Sequence, residues 1–459
     1  MIVCSAMGKS TNLLLAAGQT AFDEGTVDIS ELRELHSAAC DALISQLEKR
    51  NSVMCDLQDD EEKAACMAEF STLLASVLDM KDAVSGLLDS CEDLLNGISL
   101  LREFTPRIKD RLVSYGERCS VRIVAEQLKL MGIQASAVDS WTIGFRTTSQ
   151  FGNADILDES YDAIKQHFLR EAREGGYGTN AKEGQQIVPV ITGFIATDGE
   201  GQITTLGRGG SDLTAAVLGA ACSLDEIQVW KDVDGMLTAD PRVVKNAVPV
   251  PSVTFEEASE LAYFGAKILH PISMLPAMKF NIPVRIKNSY NPSHPGTLIS
   301  NDHYRTRGEG QDGLVCAITS KSQQILIDVV STRMLGQYGF LARLFSAFER
   351  YRVSIDAIAT SEVSVSLTID GSQAGWEEVV ADLDGIAEVE VNKGRSVLTL
   401  IADVQRSSNV LEAMFRVLSD KGIQVEMLSQ GASKVNISIV VRDEDLDEAL
   451  AALHDYFFS

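Results

Sequence analysis

The chain has 459 residues, enough for two to four domains, with 45% apolar and 23% charged residues, an ordinary globular balance. The formal net charge of −25 opposes binding to nucleic acid and to anionic membranes. No apolar run reaches the roughly 18 residues of a membrane span, and no basic leader with a cleavage site opens the chain, so a cytoplasmic location is expected.

Eight cysteines are scattered without a C-x-x-C pair, which argues against a structural zinc site or a redox pair and leaves free thiols as the expectation. In chain order, "MIVC" reads as the end of a buried strand, "SAMGKST" (5–11) as a turn, and "NLLLAAGQTAF" as a helix capped by Thr11 or Asn12. The turn is not a P-loop, because G-x-x-x-x-G-K-[ST] needs glycine where Val3 stands. Residues 28–111 contain no good strand and read as amphipathic helices, with Leu32, Leu35, Ala39, Leu43 and Leu47 at helical spacing. From 112 strands alternate with helices, predicting a mostly parallel sheet covered on both faces. "IVPVITGFIAT" reads as one strand, "ITTLGRGGSDLTAAVLGAAC" as strand, turn and helix, and "EIQVWKDVDG" as strand and turn. Ligands of such sheets sit at the carboxyl ends of the strands. Residues 291–313, rich in Pro, Gly, Asn and Asp, read as a linker. A β-α-β-β repeat follows twice, each copy trailed by an acidic helix, suggesting two α+β sandwiches of ferredoxin-like topology.

Four stretches carry candidate chemistry. In "TTLGRGGSDLTAA" the glycines let backbone N–H groups approach an anion, and Arg208 offers a fork for a carboxylate or phosphate. Ser211 and Asp212 open the next helix, where Asp212 can cap the helix, hold a substrate ammonium or orient a lysine. In "SYGERCS", Glu117 follows what reads as a glycine turn at a helix start, either complementing the helix dipole or binding an amino group. In "KDVDGMLTADPR", Lys231, Asp232 and Arg242 frame either a well-made surface turn or a nucleotide loop. In "FGAKILHP", Lys267 stands in an apolar stretch, either snorkelling or binding phosphate. His270 lacks a second histidine at ligand spacing, and no metal site is predicted. Four cations and two carboxylates suit phosphoryl transfer between anions, normally with Mg²⁺ bridging nucleotide phosphates.

These stretches, together with "SAMGKSTNLL" and "GFLARLFSAFERYRVSIDAIATSEVSVSLTID", resemble the aspartate kinases of the amino acid kinase family, monofunctional and lysine-sensitive, over nearly the whole chain. The resemblance implies an α/β fold. A three-layer αβα kinase domain with a mainly parallel sheet covers 1–290, its helical subdomain about 28–111. A linker over 291–313 leads to two ferredoxin-like ACT domains, 314–394 and 395–459. It implies ATP-dependent phosphorylation of the side-chain carboxylate of L-aspartate with Mg²⁺, feedback inhibition by L-lysine, and a homo-oligomer built through the ACT domains. Carried over residue by residue, Thr11, Glu117, Phe194, Arg208, Ser211 and Asp212 match the aspartate site, with Arg208 on the α-carboxylate. Lys231, Asp232, Leu237, Arg242 and Lys267 match the nucleotide site, Leu237 replacing the family's usual aromatic. The resemblance implies Lys267, Asp212 and Arg208 as the catalytic set. Met334, Gln337, Phe340, Leu341, Ile355, Asp356 and Ser361 match a lysine site at a dimer seam, with Gly336-Gln337 departing from the usual pair.

Family members carry K-F-G-G-[ST] on a strand ahead of this start, and it is absent here, so Met1 is expected to be an internal methionine. The chain stops after the second ACT-like unit, and no fused homoserine dehydrogenase is expected. Two alternatives stand beside the kinase: a catalytically impaired amino-acid sensor, and a kinase of glutamate or acetylglutamate, which the tandem ACT repeats oppose.

Overall fold

The computed structural model describes residues 1–54, 60–174, 187–264, 269–301, 313–330, 338–402, 406–431 and 433–458. It divides into two compact units, 1–227 with 272–282 and 228–271 with 283–459.

The first unit runs β1 (Ile2–Cys4), α1 (Ser10–Asp23), α2 (Ser30–Met54), α3 (Asp60–Leu101), α4 (Pro106–Leu130), β2 (Ala135–Val138), α5 (Glu159–Glu174), β3 (Val188–Thr192), β4 (Ile195–Thr197), β5 (Ile203–Thr205) and α6 (Gly210–Cys222). Strands β1, β3 and β2 form a parallel sheet in that order, with Cys4 opposite Thr192 and Ala135 opposite Val188. Alternation along the strands serves both faces. Val190, Ile2 and Cys4 pack with Val121 and Ala125 of α4, while Ile191 and Val3 pack with Leu213 and Val217 of α6 and Ile164 of α5. Three layers result, helix on sheet on helix. Helices α1 to α4 bury their own apolar cluster, including Leu14, Leu43, Leu95 and Leu112. Thr105 caps α4, its side chain accepting from the Ile108 N–H, with Pro106 beginning the helix.

The segment expected as one strand over 187–197 is two. It breaks at Gly193 and Phe194, and Phe194 holds φ +67°. Strand β4 then turns into a hairpin with β5, Ile195 opposite Thr205.

The second unit begins with β6 (Ile227–Lys231), β7 (Ser252–Thr254) and α7 (Phe255–Tyr263), the latter opened by a capping box between Thr254 and Glu257. Helix α8 (Pro271–Lys279) returns to the first unit. Strands β8 (Val284–Asn288) and β9 (Thr297–Ser300) complete a sheet of order β6-β8-β9-β7. Strand β9 corrects the linker expected over 291–313. Thr297 and Ile299 are buried, and the Thr297 hydroxyl donates to the Val250 carbonyl and accepts from the Met236 N–H. Its signal was swamped by the Pro and Gly around it.

The remaining elements are β10 (Val315–Val330), α9 (Phe340–Arg350), β11 (Ala357–Thr360), β12 (Ser364–Asp370), α10 (Trp376–Asp384), β13 (Glu388–Ala402), α11 (Ser407–Asp420), β14 (Met427–Gln430), β15 (Asn436–Arg442) and α12 (Leu446–Phe458). All six strands join one sheet, β11-β12-β10-β13-β15-β14. Strands β10 and β13 pair antiparallel from Val315 opposite Ala402 to Val330 opposite Glu388, with a bulge between Lys321 and Gln324. The bulge separates two cores. Ile325, Ile327 and Val329 pack with α9 and α10, whereas Leu314, Val315 and Ile318 pack with α11 and α12. The two repeats are therefore nested rather than placed end to end. The first half is a continuous stretch inserted into the second, and Leu314, Val315 and Ile318, expected in the first ACT domain, belong to the core of the second.

Gly296 has φ +73°, and a Cβ there would stand 1.8 Å from the Ile286 carbonyl oxygen. Gly296→Ala is expected to destabilise the chain by more than about 1 kcal/mol, read as a lowered Tm.

Candidate active site

The first unit gathers its polar turns at the carboxyl ends of its parallel strands. The turn after β1 ends in Gly8, which holds φ +58°, and α1 begins at Ser10 with Lys9 as a cap that makes no side-chain bond. Thr11 therefore lies inside the first helical turn, not at its cap. The Ser10 hydroxyl instead donates back to the Met7 carbonyl at 2.6 Å and closes the turn. Beside it, the Gly193 N–H donates to the Cys4 carbonyl at 2.9 Å. The next residue, Phe194, sits in a strained left-handed conformation held by its N–H bond to the Thr214 hydroxyl at 3.1 Å.

The glycine-rich turn closes against this point. Gly207 and Gly209 both hold positive φ, and Gly209 is the cap of α6. Asp212 lies in the first turn of α6 rather than capping it. A Cβ on Gly193 would meet the Ser211 Cβ at 2.7 Å, and one on Gly210 would meet the Phe194 ring at 2.7 Å. Phe194, Ser211 and the cap of α6 are thus in van der Waals contact. Arg208, at the apex of the turn, is exposed and makes no ion pair with another described residue.

Glu117 arrives from the middle of α4, not from a helix start as its glycine suggested. Gly116 makes this possible. A Cβ there would meet the Ala6 Cβ at 2.9 Å, so only glycine lets the helix lie against the β1–α1 turn. Glu117 is 1% exposed and accepts a bond from the Ala6 N–H, while its Oε2 has no partner among the described residues. Burial pushes its carboxyl up to about 8. Two turns earlier on the same face, buried Asp110 accepts from the Thr205 N–H and hydroxyl at 2.9 and 2.8 Å and from the Gly152 N–H at 2.9 Å. Asp110 anchors the strand that leads into the glycine-rich turn. It escaped the sequence reading, although an aspartate on the apolar stripe of a helix is a usable signal.

In the second unit Lys231 ends β6 and Asp232 is exposed in the turn that follows. Asp234 accepts from the side chains of Asn288 and Asn291. Leu237 is half-buried and bridges to Pro249. Arg242 is exposed and folds onto Asp240, Nη2 to Oδ2 2.6 Å, which holds the Asp240 carboxyl below its ordinary value. Lys267 lies outside the described residues.

Of the expected effector residues, Met334 and Gln337 also lie outside the described residues. Phe340 is buried in the core of the first ACT half, with Ile355 packed against it. Leu341 is 38% exposed, and the Ser361 hydroxyl bonds to that of Ser364. Asp356 is already engaged. Lys321 Nζ stands 2.5 Å from one oxygen and the Tyr263 hydroxyl 3.0 Å from the other. Burial, then the Asp356 charge, pushes Tyr263 up to about 12.

A three-layer αβα unit with glycine-bearing turns at its strand ends, joined to a chain with ferredoxin-like halves, defines a class, and comparison with known proteins agrees. The amino acid kinase family model matches residues 1–288, and an ACT domain model matches 327–376 and 402–457. Aspartokinase 1, chloroplastic, of Arabidopsis thaliana is 44% identical over 100% of this chain and 74% of its own. The lysine-sensitive aspartokinase 3 of Escherichia coli is 35% identical over 81% of each. The crystal structure of E. coli aspartokinase III with aspartate and ADP superposes with a TM-score of 0.71 at 30% identity, covering 100% of this chain and 92% of that one. The chain belongs to the amino acid kinase family and, within it, to the aspartokinases, enzymes that phosphorylate aspartate and use a nucleotide.

Two outcomes follow from α4. Asp110→Ala is expected to lose about 1–3 kcal/mol of stability, because three buried donors lose their acceptor. For Glu117 the folded carboxyl lies near 8, well above its ordinary 4.5, so the folded state holds an extra proton between those values. Stability falls as pH rises through that window. Glu117→Gln is expected to raise Tm over the wild type most above pH 8, and a Tm series across pH checks this.

Proposed function

We propose that the chain transfers the γ-phosphoryl group of ATP to the side-chain carboxylate of L-aspartate, giving 4-phospho-L-aspartate. This is the first step toward lysine, threonine and methionine. The observation that carries the reading is Glu117, a buried carboxyl with one oxygen on the Ala6 N–H and the other unpartnered among the described residues, at the carboxyl ends of the parallel strands. Such an oxygen suits a substrate ammonium, and ion pairing would favour its charged form. Arg208 holds the α-carboxylate through its free guanidinium, while Thr11, Phe194 and Ser211 shape the floor of the site. Asp212 opens α6 beside Ser211, and Lys231, Asp232, Leu237, Arg242 and Lys267 would serve the nucleotide. An aspartate side-chain oxygen attacks the γ-phosphorus. The new O–P bond forms as the bond to the β,γ-bridging oxygen breaks, and ADP leaves with that electron pair.

Among the described residues no group of three or more His, Cys, Asp or Glu is placed to hold a metal. Mg²⁺ would enter with the nucleotide's phosphates and would supply neutralisation of the charge that develops on them.

L-Lysine is the proposed effector, supported by the E. coli aspartokinase III structure in complex with lysine and aspartate, which superposes with a TM-score of 0.71 at 30% identity. Asp356 would take its ammonium within a homo-oligomer built through the ACT halves. Tyr338 and Phe345, exposed beside and on α9, are suited to that contact.

The test is an assay with Mg-ATP, L-aspartate and hydroxylamine, trapping the acyl phosphate as the hydroxamate. Hydroxamate that depends on aspartate, with a KM for aspartate raised about 10–100-fold in Glu117→Gln, supports the reading, since a hydrogen bond to a charged group is lost. No hydroxamate from the wild type refutes it. Lysine must displace Lys321 from Asp356, so Lys321→Met is expected to lower the lysine concentration for half inhibition. An unchanged or higher value would remove Asp356 from the effector site.

A further inference from the structure

The loop after β6, residues 237–247, is built on the second ACT half. Thr238, 4% exposed, is its pivot. Its N–H donates to the Val248 carbonyl at 2.9 Å, its carbonyl accepts from the Ile318 N–H of β10 at 2.7 Å, and its hydroxyl accepts from the Val248 N–H at 3.1 Å. The same hydroxyl bonds to Nε2 of His454, on α12, at 2.9 Å. His454 is 1% exposed, and its ring lies 4.8 Å from that of Phe458. On either side of Asp240, Ala239 and Val244 enter the same apolar core as Leu450, Leu453 and Phe457 of α12 and Leu314, Val315 and Ile318 around β10. A loop that carries Leu237 and Arg242 thus has two of its side chains and its central hydroxyl inside the core of the C-terminal module.

We infer that His454 is a positioning residue for nucleotide binding: through the Thr238 hydroxyl, the C-terminal helix sets the conformation of the loop that receives ATP. This rests on the reading of Leu237 and Arg242 as nucleotide residues. A buried bond between a loop and a helix so far along the chain is costly to leave half-made, since without it Nε2 of His454 is an orphaned buried polar atom. The apolar contacts of Ala239 and Val244 secure the loop to the module, and the hydrogen bond selects its rotation. Nucleotide bound to the loop would in turn stabilise the second ACT half by linkage.

The test uses the full chain and reads KM for ATP and for aspartate separately. His454→Phe keeps the ring and its packing on Phe458 but removes both nitrogens. Thr238→Val removes the hydroxyl at constant shape. Each is expected to raise KM for ATP about 3–10-fold, the typical net worth of one hydrogen bond, with KM for aspartate within about twofold. The double variant is expected to be no worse than Thr238→Val alone, because the bond to His454 is already lost there, together with the one from the Val248 N–H. His454→Gln, whose terminal amide can donate to or accept from the Thr238 hydroxyl in place of Nε2, is expected to recover most of the ATP affinity. Equal movement of both KM values, or no recovery with glutamine, would reduce His454 to a fold-supporting residue and overturn the inference. So would an unchanged KM for ATP in His454→Phe and Thr238→Val when Arg242→Ala raises it. If Arg242→Ala leaves KM for ATP unchanged as well, the nucleotide reading of the loop itself falls.

Discussion

Helix α4 can press against the β1–α1 turn because residue 116 has no side chain. That contact lets one long helix do two things at once. Its outer turns complete the helical cluster with Leu112 and Cys119, and its inner face covers the parallel sheet with Val121 and Ala125. Between these roles it carries Asp110 and Glu117 into the strand ends on a single buried stripe. Move the helix outward by a methyl group and both carboxyls leave their N–H partners. Glu117 is held where burial opposes its charge, which is a cost to folding that a bound ammonium would relieve.

The second unit depends on a different constraint, the pairing of β10 with β13. A bulged antiparallel pair gives two cores their shared spine and turns the side chains of one continuous strand toward different helices on either side of Gln324. The core on the N-terminal side of the bulge also holds Ala239 and Val244, so the packing of a regulatory-type module and the shape of a kinase-family loop are parts of one object.

What could be read from the sequence followed from how local the physics is. The turn at 207–212 was legible because its glycines, cation, hydroxyl and carboxylate stand within six residues, and the flanking strand and helix announce themselves by apolar run and small-residue period. Glu117 was legible as a residue type and misplaced in its element, since Gly116 reads as a turn unless one knows that Ala6 lies over it. Strand β9 was hidden by its Pro- and Gly-rich surroundings. Phe194 offered no sign that it would hold a positive φ. Partners far apart in sequence were illegible: Asp110 meets Thr205 at a separation of 95 residues and Thr238 meets His454 at 216. Nothing local in a lysine at 321 says that it will sit on Asp356.

The nesting of the two ACT halves has a consequence for how the chain is made. Residues Val315 to Lys321 find their strand partners only at Val397 to Ala402. On the ribosome, the first stretch of β10 leaves the exit tunnel long before those partners exist. The inserted half, whose strand pairings are nearer in sequence, can close first and hold the waiting strand at its own edge. Synthesis order and topology then agree: the early-finished half serves as the jig on which the late half, and with it the loop around Thr238, is assembled.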